Sequence, residues 1–153
     1  MVNGEWLVGK RLVGIDRCCT SIFNLNLYCM LDLSHKKLDV YALSLKMVKE
    51  IYKLTPGFPQ EEKYVLVSQL RRAAISVCSN IAEGAARKSK REKKRFYEIS
   101  RSSVVEIDTQ LEIALLLNYL SNISINEVEQ KLESVFRMLS KMIENLEANN
   151  PEA

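Results

Sequence analysis

The sequence has little of what β-sheets, metal sites and membrane spans require. Its 153 residues include only 5 glycines and 3 prolines, and this scarcity disfavours turn-rich folds. One histidine and 4 cysteines without a C-x-x-C pair do not supply a typical zinc site. The chain also lacks the run of about 18 apolar residues that a transmembrane helix needs. We therefore expect no metal, no cofactor and no membrane association, and isolated cysteines favour a cytoplasmic location.

What is present is a globular composition with helical periodicity. Hydrophobic residues make up 47% of the chain and charged residues 27%, and this length fits one domain. Apolar residues recur at three- and four-residue steps in four segments, which predicts amphipathic helices joined by short connections. The expected fold is all-α: an antiparallel up-down-up-down four-helix bundle with an extra N-terminal segment. The predicted helices cover about 38–54, 60–86, 90–120 and 125–147.

The start of the chain does not follow the bundle pattern. Its charged residues lie in the middle of the segment and no small-residue cleavage site follows, which disfavours a signal peptide. We hypothesise that Met30 is the native start and that residues 1–29 are an upstream extension. The predicted organisation is an N-terminal extension at 1–35 that is either irregular or not native, the bundle at 36–148 and a tail at 149–153.

Helix boundaries are indicated by turn and capping residues. Pro56 disfavours helical geometry in the residue before it, so the first helix ends near position 54. Pro59 and the carboxylates after it are typical of a first helical turn. Ser89 and Ser124 are each followed three residues later by glutamate, the capping-box pattern, and are expected to begin the third and fourth helices.

The same periodicity predicts which residues face inward. On the third helix, Phe96 and Ile99 are expected on the core side, next to serines that let a neighbouring helix approach closely. Phe136 is interpreted as a core residue of the fourth helix, and Cys78 as a small core residue and not a nucleophile. His35 precedes the first helix and is expected to be exposed.

The densest charge feature is the run from Arg87 to Arg95, which has seven basic residues and one acid. It is either a solvated helix start or a corner that grips phosphates with salt-dependent affinity. Cations at a helix N-terminus oppose the helix dipole, which favours an anionic partner. The candidate nucleic-acid contacts are Arg71, Arg72, Arg87, Lys88, Lys90, Arg91, Lys93, Lys94 and Arg95.

A second constellation lies along the second helix, opposite its apolar face. At about 100° per residue, its polar positions fall on one stripe with small serines at the centre. The stripe is either a solvent face with ion pairing among Arg72, Glu83 and Arg87, or a polar subunit interface. The candidate interface residues are Arg72, Ser76, Ser79, Asn80 and Glu83.

Catalytic chemistry finds little support in this sequence. The carboxylates Glu98, Glu106 and Asp108 do not share one helix face, and no histidine base lies near them. There is no glycine-rich phosphate loop, and the Glu-x-x-His pairs of a di-metal bundle are missing. We expect a protein that is not an enzyme.

Three linked motifs resemble a known family. They are Ser68-Gln-Leu-Arg-Arg-Ala-Ala74, Ser79-Asn-Ile-Ala-Glu-Gly84 and Arg87-Lys-Ser-Lys-Arg-Glu92, preceded by Leu54-Thr-Pro-Gly-Phe-Pro59. They are similar to the four-helix bundle proteins encoded in intervening sequences of bacterial 23S ribosomal RNA genes. The resemblance covers about 36–146 and departs from the family at Tyr41, where tryptophan is usual, and at Cys78, where proline is usual.

The resemblance implies a ring-like homo-oligomer, a pentamer, without established catalytic activity. Related bundles are accessory proteins of diversity-generating retroelements, where a basic pentamer binds nucleic acid and a reverse transcriptase. Two functions follow as hypotheses. The first is an oligomeric module that associates with RNA or DNA through the basic run. The alternative is a protein-only scaffold or adaptor, such as an accessory subunit for a reverse transcriptase.

Overall fold

The computed structural model describes residues 31–120 and 122–148, with only the backbone of 122–124. The predicted N-terminal extension up to residue 30 and the tail at 149–153 lie outside the described residues. The described part is helical throughout its main elements, so the all-α prediction is confirmed. It comprises α1 (Asp39–Leu54), α2 (Leu66–Ala86), α3 (Lys90–Leu116) and α4 (Asn122–Ala148), with 3₁₀ turns at Ser34–Lys37, Thr55–Gly57 and Gln60–Tyr64.

The order of contacts along the helices shows how they run. Early in α1, Ser44 accepts a hydrogen bond from the Cys78 thiol late in α2, at 3.2 Å. After the end of α1, the Thr55 hydroxyl accepts one from Arg71, early in α2, at 2.6 Å. Rising positions in α1 thus meet falling positions in α2, as in antiparallel neighbours. The same reversal relates α2 to α3 and α3 to α4, through Ser76–Ser103, Gly84–Tyr97, Lys94–Glu147 and Arg101–Phe136.

The core lies between the four helices, each of which packs against two neighbours, with α4 closing the bundle against α1. Burial of this apolar surface is the main stabilising contribution to such a fold. Cys78 is buried here, and burial raises the pKa of its thiol, so its predicted role as a core residue is confirmed. Fully buried side chains from all four helices meet at the centre: Met47, Ile51, Leu70, Val77, Ile81, Ile107, Val128, Val135 and Leu139.

The second helix begins later than predicted. Residues Gln60–Tyr64 form a 3₁₀ turn, and Val65 interrupts the helical backbone with φ −110 and ψ −98. The α-helix starts at Leu66, whose amide donates to the Glu62 carboxylate at 3.3 Å. The hydroxyl of Tyr119 donates to the other oxygen of the same carboxylate at 3.3 Å. Glu62 therefore links the start of α2 to the segment after α3, a role that chain-local reasoning does not predict.

The third helix ends earlier than predicted because Asn118 adopts a left-handed conformation, with φ 56. The amide of Asn118 donates to Leu115 O and that of Tyr119 donates to Ala114 O, both at 2.9 Å. This pair of bonds is the Schellman ending of a helix, with asparagine in the position that glycine usually takes. The turn to α4 therefore comes earlier, and α4 already begins at Asn122. The predicted N-cap at Ser124 is wrong, because that residue lies inside the helix.

At the beginning of α3, and only there, the inward face is rotated from the predicted one. Tyr97 and Ser100 are buried, whereas Ile99 is 39% exposed and Phe96 is only half-buried. Phe136 is likewise 39% exposed, with the Arg101 guanidinium 5.9 Å from its ring centre, so its assignment to the core is wrong. The expectation for His35 is also wrong. Its ring is buried, edge-on to Tyr41 with 4.6 Å between the ring centres.

Candidate nucleic-acid interface

The run from Arg87 to Arg95, which we call the basic corner, is built around a close approach of two helices. Gly84 lies in the last turn of α2, and a Cβ placed there would come within 2.7 Å of the Tyr97 ring. A side chain at this position would therefore push α3 away from α2. The amide of Arg87 donates to Gly84 O at 3.2 Å and ends the helix. The glycine thus lets the first turns of α3 pack directly on the end of α2.

A second close contact holds the two helices together further along. Ser100 is fully buried, and its hydroxyl donates to the backbone carbonyl of Val77 at 3.0 Å. The hydroxyls of Ser76 and Ser103 lie 2.9 Å apart across the same interface. These short side chains confirm the prediction that serines on α3 permit a neighbouring helix to approach closely.

The start of α3 confirms one part of its predicted cap and not the other. Ser89 occupies the N-cap position, and Ser89 O accepts the first helical hydrogen bond from the Lys93 amide at 3.0 Å. The Ser89 side chain, however, makes no capping hydrogen bond. The capping box expected from the sequence is therefore not formed at this end of α3.

Most cations of the basic corner point away from the bundle. Lys88, Arg91 and Arg95 are exposed, and Lys93 is half-exposed. Within the described residues, none of these four takes part in an ion pair. Lys90 is also exposed at the first position of α3. The structure therefore brings together Lys88, Arg91, Lys93 and Arg95 as a group of cations available to an anionic partner.

Two other cations of the basic corner are engaged by carboxylates. Arg87 forms an ion pair with Glu83, and its guanidinium lies 5.0 Å from the centre of the Phe96 ring. Lys94 lies 2.8 Å from Glu147 of α4 and 3.6 Å from Glu98. The hydrogen bond to Glu147 is the main cause that raises the pKa of Lys94. These two residues are partly neutralised within the subunit.

Two of the predicted nucleic-acid contacts lie elsewhere. Arg71 sits near the opposite end of α2, and about 1.5 Å of rise per residue puts it roughly 24 Å from Arg87. Its guanidinium donates to Thr55 and stacks 4.5 Å from the centre of the Tyr52 ring, so it joins α2 to the end of α1. Arg72 is exposed at the same level and donates to Gln69 at 2.8 Å. The structure does not bring these two arginines to the basic corner.

The predicted subunit-interface stripe divides into two parts. Ser76 is half-buried against Ser103, and the Asn80 side chain donates to Ser76 O at 2.8 Å. These two residues therefore contribute to the contact between α2 and α3 within one subunit. The other three face solvent: Arg72, Ser79 and Glu83.

Sequence reasoning missed the reason for Gly84 and the carboxylate opposite Lys94. A glycine followed by aromatic residues in the next helix was the available signal for close packing. The pairing with Glu147 joins residues far apart in the chain, and no local pattern indicates it.

In the described part of the chain, no group of histidine, cysteine and acidic side chains is arranged to hold a metal ion. None of the helices described there combines the length and apolar character that crossing a membrane requires.

The fold and the residues at its corners define an antiparallel four-helix bundle protein with a basic turn between α2 and α3. The family model of the 23S rRNA-intervening sequence protein matches residues 36–141, and the chain belongs to this family.

A crystal structure of a protein of unknown function from the S23 ribosomal protein family of Bacteroides thetaiotaomicron has the same fold. It is 21% identical and superimposes with a TM-score of 0.63, covering 68% of this chain and 97% of that one. A comparison with curated proteins found no match.

Proposed function

We propose that this protein is a non-catalytic, homo-oligomeric module that associates with RNA or other nucleic acid through the basic corner. The observation that carries the proposal is the set of four cations there without an ion pair in the described residues. Lys88, Arg91, Lys93 and Arg95 lie within two turns of the start of α3. Phosphates are the natural partners of such a group, because arginine and lysine supply charge-assisted hydrogen bonds to them.

The local electrostatics support an anionic partner. The positive end of the α3 dipole faces the same cations, and their mutual repulsion adds to this unfavourable term. A bound phosphate would offset both terms at once. The family description, which refers to a 23S rRNA intervening sequence, supports RNA as the first partner to test.

The direct test is fluorescence anisotropy with a labelled RNA at about 50 mM salt, where electrostatic binding is strong. The double variant Arg91→Ala/Arg95→Ala removes two exposed cations that make no ion pair in the described residues. The control Lys49→Ala/Lys63→Ala removes the same charge from α1 and the turn before α2. We expect micromolar or tighter binding that only the first variant weakens, by at least tenfold. Equal losses in both variants, or no binding by the wild type, would refute the proposal.

An oligomer would raise the avidity of each modest site by presenting several basic corners together. The exposed half of the α2 stripe is the surface we propose for assembly, with Ser79 at its centre. Ser79→Arg should disrupt the oligomer, whereas Ala42→Arg on the exposed side of α1 should not. Light scattering coupled to size exclusion gives the mass of each variant. A monomeric wild type contradicts the assembly, and an oligomer that binds no RNA at low salt favours a protein-only scaffold.

A further inference from the structure

The basic corner gains a cation from the beginning of the described chain. The 3₁₀ turn Ser34–Lys37 precedes α1 and packs against α2. Since α1 and α2 run antiparallel, this turn lies at the end of α2 that carries Arg87. Lys37 is exposed on it. The fold thus places Lys37 at the same end of the bundle as the exposed cations Lys88, Arg91 and Arg95, although it is about 50 residues before them in the chain.

The aromatic rings at this end of the bundle already contact other residues of the protein. The guanidinium of Arg87 lies over Phe96, and the Tyr97 ring is buried against Gly84. His35 is buried edge-on to Tyr41. Recognition of single strands depends on open rings on which bases stack, worth about 1–3 kcal/mol per base. In the described residues, this end offers exposed cations for phosphates, whereas each of these rings is buried or half-buried against another residue of the protein.

The spacing of the cations fits a regular backbone. Arg91 and Arg95 are one helical turn apart on the exposed side of α3, so their Cβ atoms are about 5–6 Å apart. Binding by cations alone draws its free energy from counterion release. The logarithm of the association constant therefore falls linearly with the logarithm of the salt concentration, and we call the gradient of this line the salt slope. Each phosphate contact makes the salt slope steeper by about 0.9 for duplex DNA and by about 0.7 for a single strand. If the four exposed cations Lys37, Lys88, Arg91 and Arg95 each contact one phosphate, the half-buried Lys93 being left out, the predicted slopes are about −3.6 and −2.8, respectively.

We propose that this end of the molecule binds the sugar–phosphate backbone of double-stranded nucleic acid without reading its bases. The proposal rests on the proposed function and makes it specific. The difference between the duplex and single-strand salt slopes gives the size of the expected preference for the duplex. If the two affinities converge at 1 M salt, the duplex is favoured by about tenfold at 50 mM.

The test compares the wild-type chain on a 20-base-pair duplex and on an unstructured 20-nucleotide strand, both labelled, from about 50 to 200 mM salt. We expect tighter duplex binding, no dependence on duplex sequence and a slope near −3.6. Lys37→Ala should reduce the duplex slope by about 0.9, whereas the control Lys49→Ala should leave it unchanged.

The outcomes separate this inference from the function on which it rests. Binding of neither probe at low salt defeats the proposed function and this inference together. Tighter binding of the single strand, or a preference among duplex sequences, overturns only the inference. A Lys37→Ala variant with an unchanged slope also overturns it, because the composite surface would then lack its fourth cation.

Discussion

Gly84→Ala is the substitution with the most definite structural consequence. The new methyl group would lie 2.7 Å and 2.9 Å from two Tyr97 ring carbons, and 3.1 Å from Phe96 Cβ. The ring is buried, so it has little room to move. Overpacking of this kind costs about 1–3 kcal/mol. Alanine recovers up to about 1 kcal/mol of helix propensity. Taking about 2 kcal/mol for the overpacking, the middle of its range, and subtracting up to about 1 kcal/mol for helix propensity, we expect the free energy of unfolding to fall by about 1–2 kcal/mol.

The chain offers a matched control for this prediction. A Cβ at Gly57 would meet nothing within 4 Å, so Gly57→Ala should be neutral or slightly stabilising. Urea unfolding followed by circular dichroism at 222 nm measures both variants. Combining Gly84→Ala with Tyr97→Leu should cost less than the sum of the single changes, because the smaller side chain relieves the clash. A Gly84→Ala protein as stable as the wild type would refute the close approach that shapes the basic corner.

Three further substitutions test other parts of the fold by the same unfolding measurement. Ser100→Ala removes the buried hydrogen bond to the Val77 carbonyl. It should lower the free energy of unfolding by about 1 kcal/mol more than Ser102→Ala, which changes an exposed serine on the same helix. Equal losses of stability in the two variants would contradict the contact. Asn118→Val should destabilise by about 1–3 kcal/mol and Asn118→Gly should not, and similar stabilities would argue against the left-handed turn. Burial raises the pKa of the Cys78 thiol, so its contribution to stability is fully present below the pKa of the unfolded thiol, about 8.5, and is lost as pH rises toward the folded pKa. Cys78→Ala should therefore flatten the fall in stability as the pH rises above about 8.5, and an unchanged slope would contradict the assignment.

The sequence predicts the elements of this fold well and their details less well. Four amphipathic segments are unmistakable, because apolar residues recur at helical spacing over many turns. The face of α3 is harder to assign because Ile99 and Ser100 are neighbours, and periodicity favours the larger apolar residue. The structure buries Ser100 instead, since a small side chain is what the close contact with α2 requires. Packing between helices thus overrides the local hydrophobic pattern.

In the candidate site too, some features can be predicted from the sequence and others depend on the fold. The basic run is visible in the sequence because its members are consecutive. The separation of Arg71 from the basic corner follows only from helix length and from its contact with Thr55. The partial neutralisation of Lys94 by Glu147, and the arrival of Lys37 at the same end, depend on the antiparallel order of the helices. Such long-range encounters are set by the fold and leave no trace in local spacing.

The most direct test of the central claim is the salt dependence of nucleic-acid binding by the basic corner. The logarithm of the association constant for a duplex is measured against the logarithm of salt concentration, for the wild type and for Arg91→Ala/Arg95→Ala. If both arginines contact phosphates, the variant slope should be shallower by about 1.8. Parallel lines for the two proteins would show that these arginines release no counterions, and the basic corner would then not be the binding surface.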